Sequence, residues 1–271
     1  MSSAMKPETN LPLLNHPIEE PSAFTPEALI TAVRAERALA RLSVPPVCLL
    51  EFDGDLTDSL VSSGTAKRWD DWPCFHTMMF AVEFAGVPFG IIPRTIGGPF
   101  AVLVAEQLAA AGVRLILGLT SAGRVSPSLP IPSFVVATEA IRDEGTSFHY
   151  LPPSPQVAAP AAVVNALEAE LPSLGTPLFK GPVWTTDAPY RETGRQLAQY
   201  AQAGILAVEM QAASLFAFSV AHKVPVGVVA HVTNAVDHEG KPFHKGSQPE
   251  GVQILRALYA AGQYFLESRA L

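Results

Sequence analysis

The chain has 271 residues, of which 48% are hydrophobic and 16% are charged, and its formal net charge is −7. This composition predicts a folded chain with a large core, and the acidic balance argues against a nucleic-acid-binding surface, which is normally basic. The apolar stretches are shorter than the roughly 18 residues of a membrane span. The N-terminus lacks the basic region and apolar core of a secretory signal. With only two cysteines and no disulfide pattern, we expect a cytoplasmic protein.

The sequence of the N-terminal third of the chain predicts an arm, followed by alternating helices and strands. Residues 1–24 are rich in Pro, Ser and Glu without periodicity, so we expect an N-terminal arm before a single α/β domain at residues 25–271. Thr25-Pro26-Glu27 combines a capping hydroxyl, a proline and an acid in the first turn, which predicts a helix to about Leu42. Next come a strand in "VCLLEFDGDL", two strands in "MMFAVEFAGVPFGII", and a helix in "GGPFAVLVAEQLAAAGV".

The remainder of the chain continues the same alternation. "RLILGLT" and "SFVVATEAI" predict strands separated by the loop "TSAGRVSPSLPIP", and a helix is expected from about Val157 to Leu171. "LFKGPVWTTD", "ILAVE" and "VPVGVVAHVTN" predict strands, with helices in "RETGRQLAQYAQAG" and "QAASLFAFSVAHK" between them. A last helix is expected from about Gln248 to Ser268. Such alternation predicts a sheet that is covered by helices on both faces.

Six predicted strands end in polar or glycine-rich turns. In α/β sheets, ligands bind outside the carboxyl ends of the strands, so these turns are expected to converge on one site. The residues in these turns are Asp53, Gly54 and Asp55; Thr95, Gly97 and Gly98; Thr120, Ser121, Ala122 and Gly123; Thr186 and Asp187; Glu209, Met210 and Gln211; Thr233 and Asn234.

Several of these turns resemble motifs of the nucleoside phosphorylase superfamily. "VEMQAASLFAF" resembles its VEMEAA signature, and "RTIGGPFAVLVAEQLAAAGV" resembles the GIGGPS segment of uridine phosphorylases. "LTSAGRV", "TTDAPY" and "HVTNAV" are similar to its G-T-T/S-G, S-S-D-x-F-Y and V-x-N segments, in the same order. The resemblance implies a three-layer αβα sandwich around a distorted mixed sheet, assembled as a homo-oligomer, either a dimer or a hexamer. It also implies cleavage of the glycosidic bond of a small-molecule nucleoside.

The resemblance implies a role for each matching residue. Glu209, Asn234 and Asp237 are the candidate catalytic residues, and Met210, Gln211 and Ser121 are expected to bind the ribose. Tyr190, Arg191 and Asn234 are candidates for contacting the base. Candidates for holding an anion are Arg94, Gly97, Gly54 and Ser121. No metal or organic cofactor is expected, and inorganic phosphate is the candidate co-substrate.

Several of these residues also have an alternative interpretation in which their role is purely structural. Glu209 could be a buried carboxylate that the protein itself satisfies, and Met210 alone would be core packing. Asp187 could cap the helix that follows it. Tyr190 could belong to the core, and Arg191 could form a surface pair with Glu192.

The sequence departs from the family where phosphate is bound. Asp58, Gly118 and Phe75 stand at the positions of three family arginines, and Gln211 replaces the second Glu of the signature. A phosphate dianion needs replacement charge, for which Arg94 and then Arg124 are the candidates. We therefore expect nucleoside cleavage by phosphate or, without those arginines, by water. The alternative is a non-catalytic member of the fold that binds or stores nucleosides.

Overall fold

The computed structural model describes residues 11–39, 44–236 and 251–269. The helices in these ranges are α1 (Pro26–Arg37), α2 (Asp55–Ser62), α3 (Gly98–Ala110), α4 (Ala161–Glu170), α5 (Gly194–Gln202), α6 (Ala212–His222) and α7 (Gly251–Ser268). The strands are β1 (Val47–Glu51), β2 (Lys67–Arg68), β3 (Phe80–Phe84), β4 (Val87–Pro93), β5 (Leu115–Arg124), β6 (Ser133–Asp143), β7 (Gln156–Ala158), β8 (Leu178–Thr186), β9 (Ala207–Glu209) and β10 (Val226–Ala235). None of the described helices is long and apolar enough to cross a membrane.

The strands form one mixed sheet that closes on itself at one end. Starting from β5, the hydrogen-bonded order runs through β10, β6, β8 and β9 and returns to β5. From β5 the sheet also continues outward through β1, β4, β3 and β2, while β7 pairs with β6. Because the ring brings β5, β8, β9 and β10 together, residues far apart in the sequence become neighbours.

Two helical layers cover this sheet, as the sequence predicts. One core cluster contains Ile30 of α1, Val102 of α3 and Phe216 of α6. The other contains Leu60 of α2, together with side chains of α4 and α7 such as Leu167 and Leu258. The three-layer α/β architecture expected from the sequence is therefore confirmed.

Three predicted boundaries are wrong. Helix α1 is capped by the Thr25 hydroxyl as predicted, but it ends at Arg37 rather than Leu42, because Ala38 adopts a left-handed conformation with φ of 52°. The start of the loop "TSAGRVSPSLPIP" belongs to β5, whose Gly123 and Arg124 pair with both β9 and β10. The helix expected from Val157 begins at Ala161, since residues 156–158 pair with β6 as β7. In the last two cases, sheet pairing overrides the local turn and helix signals.

The described part of the N-terminal arm lies against the domain. Pro12–Leu14 form a short 3-10 turn, and the ring of His16 lies 3.7 Å from that of His149, measured between centroids. The division into an arm at 1–24 and a domain at 25–271 remains a prediction.

Candidate active site

Glu209, at the end of β9, is a buried carboxylate whose partners all come from the protein. Its side chain is 3% exposed. One oxygen accepts a hydrogen bond from the Thr185 hydroxyl at 2.5 Å, and the other accepts from the backbone amides of Gln211 and Ala212 at 2.6 and 2.8 Å. The second oxygen therefore caps the N-terminus of α6, where a negative charge is favourable.

Burial dominates the electrostatics of Glu209. Loss of hydration raises the pKa of this carboxyl to about 7, although its three hydrogen bonds act in the opposite direction and nearby Glu144 raises it further. Burial therefore opposes the ionisation of Glu209, whereas its three hydrogen bonds favour it. Its contacts fit a residue that positions the turn between β9 and α6.

Gln211 joins this turn to the end of β5. The side chain is 1% exposed, and its Oε1 accepts from the Thr120 hydroxyl at 3.3 Å and from the Met210 backbone amide at 3.2 Å. Met210, between the two polar residues, is half-buried. The structure therefore brings Glu209, Met210 and Gln211 together with Thr120, and places Ser121 next along the strand.

Ser121 is held in turn by Asp53, which follows β1. Asp53 accepts the backbone amide and the hydroxyl of Ser121, both at 2.9 Å. Because both donors of Ser121 point to one carboxylate, the orientation of the hydroxyl is fixed. Direct hydrogen bonds therefore link Thr120 and Ser121 of β5 to the residues that follow β1 and β9.

The glycine-rich turn before α3 and the end of β10 lie beside this group. Gly97 begins the turn with φ of 88°, and a Cβ on Gly98 would collide with the Ser214 hydroxyl in the first turn of α6. Asn234 pairs with Gly123 of β5 just after a bulge, and its amide donates to the Thr233 hydroxyl at 2.9 Å. Both segments thus border the same end of the sheet, and their ligand roles remain predictions.

Arg94, the predicted anion-binding side chain, is paired with an acid. Its guanidinium donates to the carboxylate of Asp58, and both side chains are more than half exposed. The pair raises the pKa of Arg94, to which Glu51 and Asp55 also contribute. Gly54 lies directly under this side chain, since a Cβ there would come within 2.7 Å of the Arg94 Cγ.

The other two positions that lack a family arginine differ from each other. Gly118 lies within β5, and a Cβ on it would be 3.0 Å from the Phe52 ring, so the space is filled by the core. Phe75 is partly exposed, and the guanidinium of Arg37 lies over its ring at 4.9 Å from the centroid. Two of the three replacing residues are therefore each contacted by an arginine from elsewhere in the chain, Asp58 by Arg94 and Phe75 by Arg37.

The predicted base-binding residues lie on an exposed turn. Tyr190 is 99% exposed, and Arg191 is exposed beside it in the 3-10 turn Pro189–Arg191, so the interpretation of Tyr190 as a core residue is wrong. Asp187 accepts the backbone amide of Gly145 at 2.9 Å, whereas Thr193 caps α5. Asp187 thus stabilises a neighbouring loop and does not cap that helix. The predicted catalytic residue Asp237 lies outside the described residues.

Three buried residues around this site, Glu51, Glu144 and Thr185, have no role predicted from the sequence. Glu51, at the end of β1, accepts the Gly54 amide at 2.6 Å and the Thr57 amide and hydroxyl at 3.2 and 2.9 Å, and burial raises its pKa. Glu144 accepts from the Ser214 hydroxyl at 2.6 Å, and Thr185 binds Glu209. A charge at the end of an apolar strand is the signal that identifies Glu51, as it does Glu209.

Comparison with known proteins identifies the family. The family model described as "Phosphorylase superfamily" matches residues 58–260, well over half of the chain. The chain belongs to this superfamily. The match includes all the strand exits of the candidate site except that of β1.

Individual relatives agree with this assignment to the phosphorylase superfamily. The chain is 28% identical to a uridine phosphorylase of Thermococcus kodakarensis over 64% of its own length and 66% of the relative's. It is 29% identical to a guanosine phosphorylase of Halorubrum lacusprofundi over 55% of its own length and 62% of the relative's. The chain therefore spans slightly less than two thirds of each of these relatives.

A solved structure from the same superfamily has the same fold. The uridine phosphorylase of Vibrio fischeri ES114, solved with 6-hydroxy-1-naphthoic acid, superposes with a TM-score of 0.63. The alignment covers 85% of this chain and 89% of that one at 19% sequence identity. At that identity, the likeness concerns the fold.

Proposed function

We propose that the chain cleaves the N-glycosidic bond of a nucleoside at the ends of β1, β5 and β9. The observation that carries the proposal is the hydrogen-bonded group formed by Asp53–Ser121 and Thr120–Gln211. It belongs to a chain of the phosphorylase superfamily whose relatives include uridine and guanosine phosphorylases. A polar turn without a function would not require hydrogen bonds from residues so far away in the sequence.

The reaction dictates what these residues do. Breaking the bond places positive charge on the sugar and negative charge on the departing base, so the site must hold hydroxyls and donate to the base. Gln211 and Ser121 supply neutral hydrogen-bonding groups for the sugar, and half-buried Met210 packs against it. Asn234 donates to the base. Glu209 acts through the backbone that it caps, because both of its oxygens are already engaged.

We further propose that water is the attacking nucleophile. The carboxylate of Asp58 neutralises Arg94, and Glu51 and Asp55 add negative charge around it. A phosphate dianion approaching Arg94 would therefore meet more carboxylates than guanidinium groups. Neutral water incurs no such repulsion.

Phosphorolysis is the second candidate, and a specific observation favours it. Arg94 contacts Asp58 and Arg37 contacts Phe75, the residues at two of the replaced arginine positions. An exposed ion pair such as Arg94–Asp58 is worth at most about 1 kcal/mol. A bound phosphate could therefore displace Asp58 at little cost.

Product analysis separates these candidates. Purified protein is incubated with a panel of purine and pyrimidine nucleosides in phosphate-free buffer and in buffer with phosphate, and free base and sugar products are quantified. We expect base release without phosphate and free sugar as the product, and Arg94→Ala should release base equally well with and without phosphate. The matched control is Arg68→Ala. Arg68 is an exposed arginine on strand β2 that pairs with Asp70.

Two outcomes would overturn parts of the proposal. Sugar 1-phosphate formed only with phosphate, and lost in Arg94→Ala but not in Arg68→Ala, would establish phosphorolysis. Binding of nucleosides without any base release in either buffer would establish a non-catalytic member of the fold.

A further inference from the structure

A cavity lies beside the loop that follows β6. It has a volume of about 630 Å³ and lies between the start of α1, the outer face of α3 and residues 145–150. This volume is within the range of small-molecule sites, about 300 to 1,000 Å³. None of the residues assigned above to ribose, base or anion binding lines it.

The walls of this cavity combine an apolar surface with hydrogen-bond acceptors. Phe24, Leu29 and Leu103 contribute apolar surface, and Glu106 and Asp187 contribute carboxylates. The described lining contains no lysine or arginine, and burial lowers the pKa of its histidine, His149. A molecule in this cavity would therefore be recognised through donated hydrogen bonds and positive charge.

Both carboxylates keep an oxygen that is available to a ligand. The Tyr150 hydroxyl donates to Oε1 of Glu106 at 2.7 Å, and His222 approaches the same oxygen at 3.5 Å. Asp187 accepts the Gly145 amide through Oδ2 alone. Oε2 of Glu106 and Oδ1 of Asp187 have no hydrogen-bond donor among the described residues.

A buried amide lies at the edge of the cavity. Gln107 lines the cavity and is 1% exposed, yet its Oε1 lacks a hydrogen-bond partner among the described residues. A buried acceptor without a partner costs about 1 to 3 kcal/mol.

We propose that this cavity binds a small organic cation, in which an amine or amidinium is attached to an apolar body. The cationic group donates to Glu106 and Asp187, and the apolar body packs against Phe24, Leu29 and Leu103. No residue assigned to ribose, base or anion binding lines this cavity, but Asp187 follows one of the strand ends of the nucleoside site, and the loop from Glu144 to Thr146 borders both sites. Glu144 binds Ser214 of α6 on one side, and Gly145 and Thr146 line the cavity on the other.

Calorimetric titration with benzamidine tests the proposal, with benzoate as a probe of the same shape and opposite charge. We expect one benzamidine per chain and no binding of benzoate. Glu106→Gln keeps the side-chain size but removes the charge, and should weaken benzamidine binding by roughly tenfold or more. Leu103→Trp fills the cavity from the surface of α3 and should abolish binding. Glu168→Gln, which removes an exposed carboxylate paired with Lys180, is the matched control.

The same titrations can overturn the proposal. It fails if benzamidine does not bind, if benzoate binds equally well, or if both cavity variants retain wild-type affinity. It also fails if a saturating nucleoside displaces benzamidine, since the probe would then occupy the nucleoside site. Unfolding midpoints of the variants establish that they are folded, and if Glu106→Gln is not, Leu103→Trp decides the question.

Discussion

Asp53 holds Ser121 at two points, since its two carboxylate oxygens accept the Ser121 amide and hydroxyl, each at 2.9 Å. Asparagine offers only one acceptor oxygen and would turn an amide group toward the second donor. We expect Asp53→Asn to destabilise the fold by about 1 to 3 kcal/mol, and to lower kcat/KM for nucleoside cleavage. Urea unfolding and steady-state kinetics measure the two effects. Asp70→Asn, at an exposed pair, should change neither.

Gln211→Glu should strengthen ribonucleoside binding. A carboxylate can accept sugar hydroxyls with charge-assisted hydrogen bonds, which are about twice as strong as neutral ones. The new carboxylate would still accept from Thr120 and Met210, as Gln211 does now. Binding constants for matched ribo- and 2′-deoxyribonucleosides give the test. An equal change for both sugars, or weaker ribonucleoside binding, would mean that Gln211 does not contact the sugar hydroxyls.

Glu209 should make stability fall as the pH rises towards neutrality. Its pKa is about 7 in the folded protein and 4.5 ordinarily, so between these values the folded state holds more protons than the unfolded one. The contribution is fully present below pH 4.5 and is lost as the pH rises through about 7, with a slope of at most about 1.4 kcal/mol per pH unit. Urea unfolding at several pH values should show this slope in wild type.

A comparison with Glu209→Gln, whose side chain cannot titrate, shows how much of the pH dependence of stability is due to Glu209. Glu51, Asp187 and Glu192 also have raised pKa values, so the wild-type slope contains their contributions. The difference between wild type and Glu209→Gln isolates Glu209. Identical pH slopes in the two proteins would contradict the prediction.

Gly118→Ala should destabilise the protein although it adds only one methyl group. The new Cβ would lie 3.0 Å from the Phe52 ring and 3.3 Å from Val228, in a fully packed region. Overpacking of this kind costs about 1 to 3 kcal/mol. Gly194→Ala is the matched control, because no heavy atom lies within 4 Å of a Cβ there. Equal stability of the two variants in urea would argue that the core around Phe52 can shift.

We expect the protein to assemble at least as a dimer. Tyr190, Met78 and Ile96 are 99%, 53% and 55% exposed, and a second copy would cover apolar surface of this kind. Sedimentation velocity at micromolar concentration measures the assembly. A monomer under these conditions would contradict the prediction. In that case, Tyr190→Ser tests whether Tyr190 affects association at higher protein concentration.

Local sequence patterns were sufficient to predict most of the fold. The Thr25 cap, the paired strands in "MMFAVEFAGVPFGII" and the alternation of apolar strands with helices depend on interactions between near neighbours. Two of the three boundary errors occurred where a distant strand decides the conformation. Gly123 and Arg124 look like loop residues, yet they are extended because β9 and β10 pair with them from both sides.

The sequence by itself determined which chemical groups stand at the strand ends, and only the tertiary structure decided what each group contacts. Glu209 is bound by a hydroxyl 24 residues away, Ser121 by a carboxylate 68 residues away, and Arg94 by an acid 36 residues away. These partners depend on the order of the strands in the sheet and on the pairing of β5 with both β9 and β10, which closes the ring. The packing of the whole core selects which distant strands pair. This pairing therefore cannot be predicted from local periodicity.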